Sequence, residues 1–288
     1  MIFKNGYVYC DDCLFHKIDL ETNKERIVAM GNFSGKAEKE EELAMDFYVI
    51  PGLIDIHIHG CVNVDFSDGK LDGLNKIAKY LAKNGITSFC PTSLTLPVEQ
   101  LRQAFRIAYR FKKQNKKEIS YVHGITMEGP FISADKKGAQ PIEHIKQPDI
   151  DLFKKLNEEA KGMIKIVSIA PEIKGSINFI KQIKKTAIVA LAHTNSDYET
   201  AKKAINSGAT HVIHLFNAMP PLHHRKPGVI GAAIENKQVS VELICDGIHV
   251  HKSLIKAAFK LFTDDRIVFV SDSIRSCGLN DGEFILAG

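Results

Sequence analysis

Two histidines one residue apart, His57 and His59, close the apolar string Pro51-Gly-Leu-Ile-Asp-Ile-His-Ile-His-Gly60. On an extended strand, side chains two apart share a face, so both imidazoles point the same way. Four other strings end an apolar run in polar residues: Met127-Glu128-Gly129-Pro130, Ala192-His193-Thr194-Asn195, His211-Val-Ile-His214-Leu-Phe-Asn217 and Val270-Ser-Asp272. A divalent metal of borderline softness takes imidazole nitrogens and carboxylate oxygens and leaves a position for water. His57, His59, Glu128, His193 and His214 therefore read as a catalytic metal shell rather than as satisfied core histidines. His211 stands three residues before His214, faces the other way on a strand, and reads as a core or helix-side histidine outside that shell.

Asp272 closes the last of these runs with no cation beside it in sequence. A carboxylate there can take the proton of a water attacking a carbonyl and pass it to a departing amine; the blander alternative is a carboxylate that only orients a ligand. The string His223-His-Arg-Lys-Pro-Gly228 combines a planar guanidinium with flanking donors and a bend, which suits a phosphate group, or else is a solvated basic loop. Asp246-Gly-Ile-His249 brings one more imidazole, and Gly129 and Gly138 would let backbone amides approach a ligand closely.

These residues need a scaffold that lines up strand ends. Eight short apolar runs supply it, at residues 49–58, 86–90, 121–127, 163–170, 187–192, 211–216, 239–245 and 266–270. Between them lie stretches with apolar residues three and four apart, such as 74–83, 98–111, 149–156, 198–206 and 251–262, which read as helices. Asn84-Gly85 and Ser207-Gly208 end two of them with a residue suited to a left-handed turn. The alternation predicts an α/β fold, a parallel (β/α)8 TIM-like barrel, whose active sites gather at the C-terminal mouth of the strands. The first 48 residues differ: Val8 and Cys10, then Ile18 and Leu20, alternate as in strands, followed by a turn-prone stretch at 30–35 and an acidic run at 38–42 read as a solvated loop. They are expected to form a small β-module, giving domains of 1–48 and 49–288.

Composition narrows the function classes. With 44% hydrophobic and 25% charged residues, the chain is expected to fold as a soluble protein and not to be disordered. No stretch reaches the roughly 20 apolar residues a membrane helix needs, and the N-terminus lacks the pattern of a signal peptide, so no membrane partner and a cytoplasmic location are expected. The net charge of +4 is spread over separate lysine pairs, which argues against nucleic acid and suits one small anionic molecule. Six scattered cysteines form no disulfide framework, and Cys10-Asp-Asp-Cys13, with no second pair, reads as a hairpin turn rather than half of a zinc site.

Taken in order, these strings, together with Glu128-Gly-Pro-Phe-Ile132, Lys136-Lys-Gly-Ala139 and His214-Leu-Phe-Asn-Ala-Met-Pro220, resemble the N-acetylglucosamine-6-phosphate deacetylase family of the amidohydrolase superfamily from about residue 51 to 288. The resemblance implies a homodimeric, metal-dependent hydrolase acting on a small amino-sugar phosphate. It implies that Glu128, His193 and His214 hold the main metal and that Asp272 is the acid/base. It further implies that Asn217, the backbone of Ala218, Arg225, His249 and Ala139 contact the substrate. Because His57 and His59 are both present, the chain looks like the branch with room for two ions, zinc or iron, one or two per subunit.

Two departures stand out. Where the family commonly carries a ligand-contacting His, this chain has Gln140, which can hydrogen-bond but carries no charge. Family members also run on past strand eight, so the barrel is expected to lack its final helix and the N-terminal β-sandwich to be incomplete, leaving the outer face of Ile267 and Phe269 without cover. A truncated relative that binds metal or sugar phosphate without turnover is the alternative reading. Barrel hydrolases that bridge two metals with a modified lysine at the end of strand four fit less well, since that run ends Ile169-Ala170-Pro171-Glu172 and its Lys165 lies near the start.

Overall fold

The computed structural model describes residues 1–33, 40–43, 47–114 and 116–286, and the chain divides into two compact units, Met1–Leu53 and Ile54–Gly288. The first holds strands β1 (Ile2–Tyr9), β2 (Phe15–Asn23), β3 (Arg26–Gly31), β4 (Glu40–Glu42) and β5 (Tyr48–Val49). They pair in the order β3-β2-β1-β4, with β5 also parallel to β1. Alternation buries Ile2, Val8 and Leu20 and leaves Phe15 and Tyr48 exposed. Cys10 and Cys13 sit in the β1–β2 hairpin, where the Cys10 amide donates to the Leu14 carbonyl and the Cys13 amide to the Cys10 carbonyl. Of the turn-prone and acidic stretches, residues 34–39 lie outside the described residues. Residues 40–42 are a strand rather than a loop, paired parallel to β1, with Lys4 Nζ 3.0 Å from Glu40 Oε2 offsetting part of the charge.

The second unit is the (β/α)8 barrel. β6 (Leu53–Ile58) is followed by a short hairpin, β7 (Gly60–Cys61) and β8 (Val64–Asp65), then by α1 (Leu71–Lys83), β9 (Ile86–Ser93) and α2 (Val98–Lys113). The chain continues through β10 (Tyr121–Val122), β11 (Ile125–Met127), α3 (Ile150–Glu159), β12 (Ile164–Ile169), α4 (Ser176–Ile183), β13 (Ile188–Leu191) and α5 (Tyr198–Ser207). It ends with β14 (Ala209–Val212), α6 (Gly228–Glu235), β15 (Ser240–Ile244), α7 (Lys252–Phe262) and β16 (Ile267–Val270). β6 pairs with β9, from β9 through β11 to β16 each strand lies parallel to the next, and β10 and β11 together form the third position. Closure comes beyond the end of β16: the Asp272 amide donates to the His57 carbonyl and the His59 amide to the Ser273 carbonyl, both at 2.9 Å. Asp55 reinforces it by accepting from the Ser271 hydroxyl at 2.5 Å.

The strands' alternation separates two apolar clusters. Val167, Ile169, Val189 and Leu191 join the large core shared with the helices, whereas Ile166, Ala190, Ala192 and Ile213 form a separate small one. The helices bury stripes at helical spacing, Leu74, Ile77, Ala78 and Leu81 on α1 and Leu101, Ala104, Phe105 and Ala108 on α2. Asp149 and Asp197 cap α3 and α5 through side-chain acceptance from Leu152 and Thr200 amides. α6 has little polar contrast, and its C-terminus is held by the Arg266 guanidinium, which donates to the Ala233, Asn236 and Val239 carbonyls. After β16 the described residues 271–286 form turns without a helix, and on the β16 face Ile267 is half-buried while Phe269 is 55% exposed. Among the described residues no helix is long and apolar enough to cross a membrane.

Candidate metal centre

β11, β13, β14 and β16 each stop one or two residues before the functional residue they deliver, whereas β6 carries His57 within it and ends just before His59. β14 ends at Val212, not at residue 216, because the chain turns at His214, with φ 30°, and at Phe216, with φ 77°. His193 (φ 42°), Ala218 (φ 50°) and Asp272 (φ 47°) share that left-handed region, which costs non-glycine residues about 1–3 kcal/mol each and persists where surrounding contacts enforce it. At the end of β11, Gly129 (φ 73°) donates its amide to Ser168 Oγ at 2.7 Å. A Cβ there would come within 2.0 Å of Thr95 Oγ1, so this glycine serves close packing beside Glu128.

The side chains converge on Glu128, which is 2% exposed. Its Oε1 lies 3.1 Å from His193 Nε2, 3.1 Å from His214 Nε2 and 3.5 Å from His57 Nε2. Its Oε2 lies 3.4 Å from His59 Nε2. Asp272 Oδ1 lies 3.4 Å from His57 Nε2 and 3.3 Å from His59 Nε2. Two groups of three, His57–His59–Glu128 and Glu128–His193–His214, each bring their ligand atoms within 4.8 Å of one another and share the one carboxylate.

Behind three of the four rings an acceptor fixes which nitrogen faces inward, whereas buried His214 Nδ1 has no hydrogen-bond partner. His193 Nδ1 meets the Lys136 carbonyl at 2.8 Å, His59 Nδ1 the Thr92 carbonyl at 3.2 Å, and His57 Nδ1 the Glu242 carboxylate at 2.7 Å. A ring that donates from Nδ1 is left, when neutral, with an Nε2 lone pair, so several lone pairs face one carboxylate. His193 Nε2 and His214 Nε2 stand 3.2 Å apart, and buried His57 Nε2 has no hydrogen-bond partner. Only a cation makes that arrangement favourable.

Protons serve as that cation in the metal-free protein. Against the penalty of full burial, the carboxylates of Glu242, Asp272 and Glu128 push the His57 imidazole up to about 10. His59 and His193 are also raised against burial, His59 by Asp272 and Glu128 and His193 by Glu128. Burial opposes ionisation of Glu128, yet His193 and His57 hold it well below the usual carboxylate range, and His57 and His59 do the same to a lesser degree for Asp272. A divalent ion would displace those protons, and its imidazole and carboxylate donors are those that zinc or iron accept. The residues present fit such an ion.

Gln140 lies inside this centre. Its Nε2 donates to Glu128 Oε2 at 2.6 Å and its Oε1 accepts from the Thr95 amide at 2.5 Å, while its neighbour Ala139 is exposed. Asn217 and Ala218 sit at the turn after His214: the Asn217 amide side chain donates to the His214 and Leu215 carbonyls, and the Ala218 carbonyl accepts from the Thr194 amide. Arg225 is exposed and lines a cleft of ≈ 660 Å³ together with Asn195, Tyr198, Pro220 and Lys226. No ion pair engages Arg225 among the described residues, although Asp197 and Glu199 line the same cleft. His249 is exposed, pairs with Asp246 at 2.7 Å, and makes no hydrogen bond to the cluster. Lys165 is exposed and bonds to the Gly162 carbonyl, far from a bridging role in its chemistry.

The residues that sequence reasoning misses are the supports. His211 is buried and outside both groups of three, as expected, but its partner is a carboxylate: on β14 beside β15, its Nε2 lies 3.0 Å from Glu242 Oε1. Glu242, Asp55 and Glu172 escape that reasoning. Glu172 accepts from the Thr194 hydroxyl and the Asn195 amide and so braces the turn carrying His193. The signal that could find them is a charged residue inside an apolar run, as in Val241-Glu-Leu-Ile244.

The amidohydrolase family pattern matches residues 48–281. N-acetylglucosamine-6-phosphate deacetylase of Bacillus subtilis (strain 168) is 37% identical over 290 residues, covering 100% of this chain and 71% of the relative. The protein of the same name from Lysinibacillus sphaericus is 34% identical over 243 residues, covering 84% of this chain and 62% of the relative. The crystal structure of N-acetylglucosamine-6-phosphate deacetylase from Pasteurella multocida superposes with a TM-score of 0.91 at 27% identity, covering 100% of this chain and 75% of that one. The chain thus spans 71% and 62% of the two curated relatives' lengths.

Proposed function

This chain belongs to the amidohydrolase family, beside its N-acetylglucosamine-6-phosphate deacetylase relatives, and from that premise we propose that it hydrolyses the acetamide of N-acetylglucosamine 6-phosphate to acetate and glucosamine 6-phosphate. The observation that carries the reading is the convergence of four imidazoles on one buried carboxylate at the mouth of the barrel, with Asp272 beside two of them. Glu128, His193 and His214 would hold the first divalent ion, and His57, His59 and Glu128 a second, zinc or iron. Such an ion supplies Lewis-acid polarisation of the amide carbonyl and makes a water more acidic.

The chain's own residues then divide the work. Asp272, whose carboxylate lies beside His57 and His59, takes a proton from the attacking water and later returns it to the departing nitrogen, so that the amine leaves neutral. The left-handed turn at Asp272, tied to the His57 carbonyl through its amide, fixes that carboxylate beside the histidines. Arg225 offers a planar pair of donors for the 6-phosphate, with His249, Asn217 and the backbone of Ala218 and Ala139 meeting the sugar. Gln140 orients Glu128 and stays neutral. The homodimeric state rests on the family resemblance.

Incubating metal-loaded protein with N-acetylglucosamine 6-phosphate and, separately, with the unphosphorylated sugar tests substrate and chemistry together. Acetate and free amine should appear one for one, with the phosphate ester strongly preferred. Equal turnover of both sugars would remove the phosphate from the assignment.

A further inference from the structure

Glu242 is fully buried on β15, with apolar Val241 and Leu243 on either side, and the chemistry above makes no use of it. Burying a carboxylate is costly unless partners satisfy it, and Glu242 has three. Its Oε2 lies 2.7 Å from His57 Nδ1 and accepts the His214 amide at 3.2 Å; its Oε1 lies 3.0 Å from His211 Nε2, whose ring continues to Ser240 Oγ at 2.7 Å. One side chain therefore touches a ligand from each of the two groups of three, but in different ways: the ring of His57 and only the backbone of His214.

We propose that Glu242 is a positioning residue that sets how tightly the His57–His59–Glu128 group holds its ion. The inference rests on the two-ion reading above and deepens it. A neutral imidazole has one N–H, and without an acceptor at Nδ1 that proton can sit on Nε2, facing the place the ion takes. Glu242 keeps the proton on Nδ1, fixes the ring plane, and makes Nε2 a stronger donor to an ion. His59 and His193 have the same support from backbone carbonyls, which no substitution removes. His57 is thus the ligand whose orientation depends on a single replaceable side chain, so the two ions should respond unequally when it changes.

Zinc titration of the metal-free chain, with ions per chain counted by mass spectrometry and folding followed by circular dichroism, reads this directly. The unsubstituted chain should take two equivalents, and His59→Ala identifies the one that belongs to the His57–His59–Glu128 group. Glu242→Gln keeps the shape and an acceptor but loses the charge, and should weaken that ion about tenfold. Glu242→Leu removes the acceptor and should weaken it about a hundredfold. The ion at Glu128–His193–His214 should stay within about twofold in Glu242→Gln and so reports that the fold is intact. If Glu242→Leu does not fold, Glu242→Gln decides alone: an unchanged second ion, or equal weakening of both, overturns the proposal. An unsubstituted chain that takes a single equivalent overturns the two-ion reading and this inference with it, a result distinct from two equivalents indifferent to Glu242.

Discussion

The floor of the barrel mouth and the loops above it are built on opposite principles. On the floor, His57, His59, Glu128, His193 and His214 are all less than a tenth exposed, and Nδ1 of His57, His59 and His193 each has a fixed partner. In the loops, Arg225 and His249 are exposed, and their own contacts are sparse. The floor is organised before anything binds, as a centre that stabilises developing charge must be. The loops have polar groups free for a ligand, which suits recognition of a mobile, solvated phosphate. Chemistry and specificity should therefore fail separately when each region is perturbed.

The largest separation is expected at Glu128. Glu128→Gln removes the carboxylate common to both groups, so bound metal should fall towards zero and turnover to background, measured by metal analysis alongside acetate release. Retention of two ions by that variant would break the floor's assigned role. Asp272→Asn should keep its metal and fold yet lose about 10²–10⁴-fold in kcat, the usual worth of a positioned acid/base; little loss would leave Asp272 only an orienting group. Arg225→Ala belongs to the loops: KM for the phosphate ester should rise about 10–100-fold, as for loss of a charge-assisted hydrogen bond, with kcat and metal content nearly unchanged. A fall in kcat alone would move Arg225 out of recognition and into the chemistry.

The smallest effect sharpens the floor's electrostatics. His57 is pushed up to about 10 from an ordinary 6.5, so in metal-free protein its stabilisation is complete below pH 6.5 and is lost as the pH rises through about 10. The melting temperature of chelator-treated protein should therefore decline over that window, and metal-loaded protein should decline less because an ion replaces the proton. Parallel declines would contradict the exchange of proton for metal.

How far the sequence makes all this legible also differs between the two regions. The floor is readable because each ligand closes an apolar run, and the two-residue spacing of His57 and His59 survives at the end of β6, whose extended backbone runs to Ile58. The eight-strand alternation likewise points to the barrel. The left-handed turns at His193, His214 and Asp272 are not readable: His and Asp are enriched at positive φ, but only a small share of them adopt it, so residue type alone does not mark these positions. The turn at His214 cuts β14 short. Glu242 and Glu172 escape for a related reason: their partners lie 185 and 22 residues away, His57 and Thr194, and only the closed barrel brings them together. Gln140 reads as a substrate contact in the family's pattern, and its bonds to Glu128 and Thr95 are a further role which that pattern does not announce.

The central claim, that the buried floor is a metal-dependent deacetylating centre, is tested most directly by acetate release from N-acetylglucosamine 6-phosphate against measured metal content. Release that rises in proportion to bound metal, vanishes on chelation and returns on reloading is the predicted result. Folded, metal-loaded protein that binds the sugar phosphate and releases no acetate would contradict it.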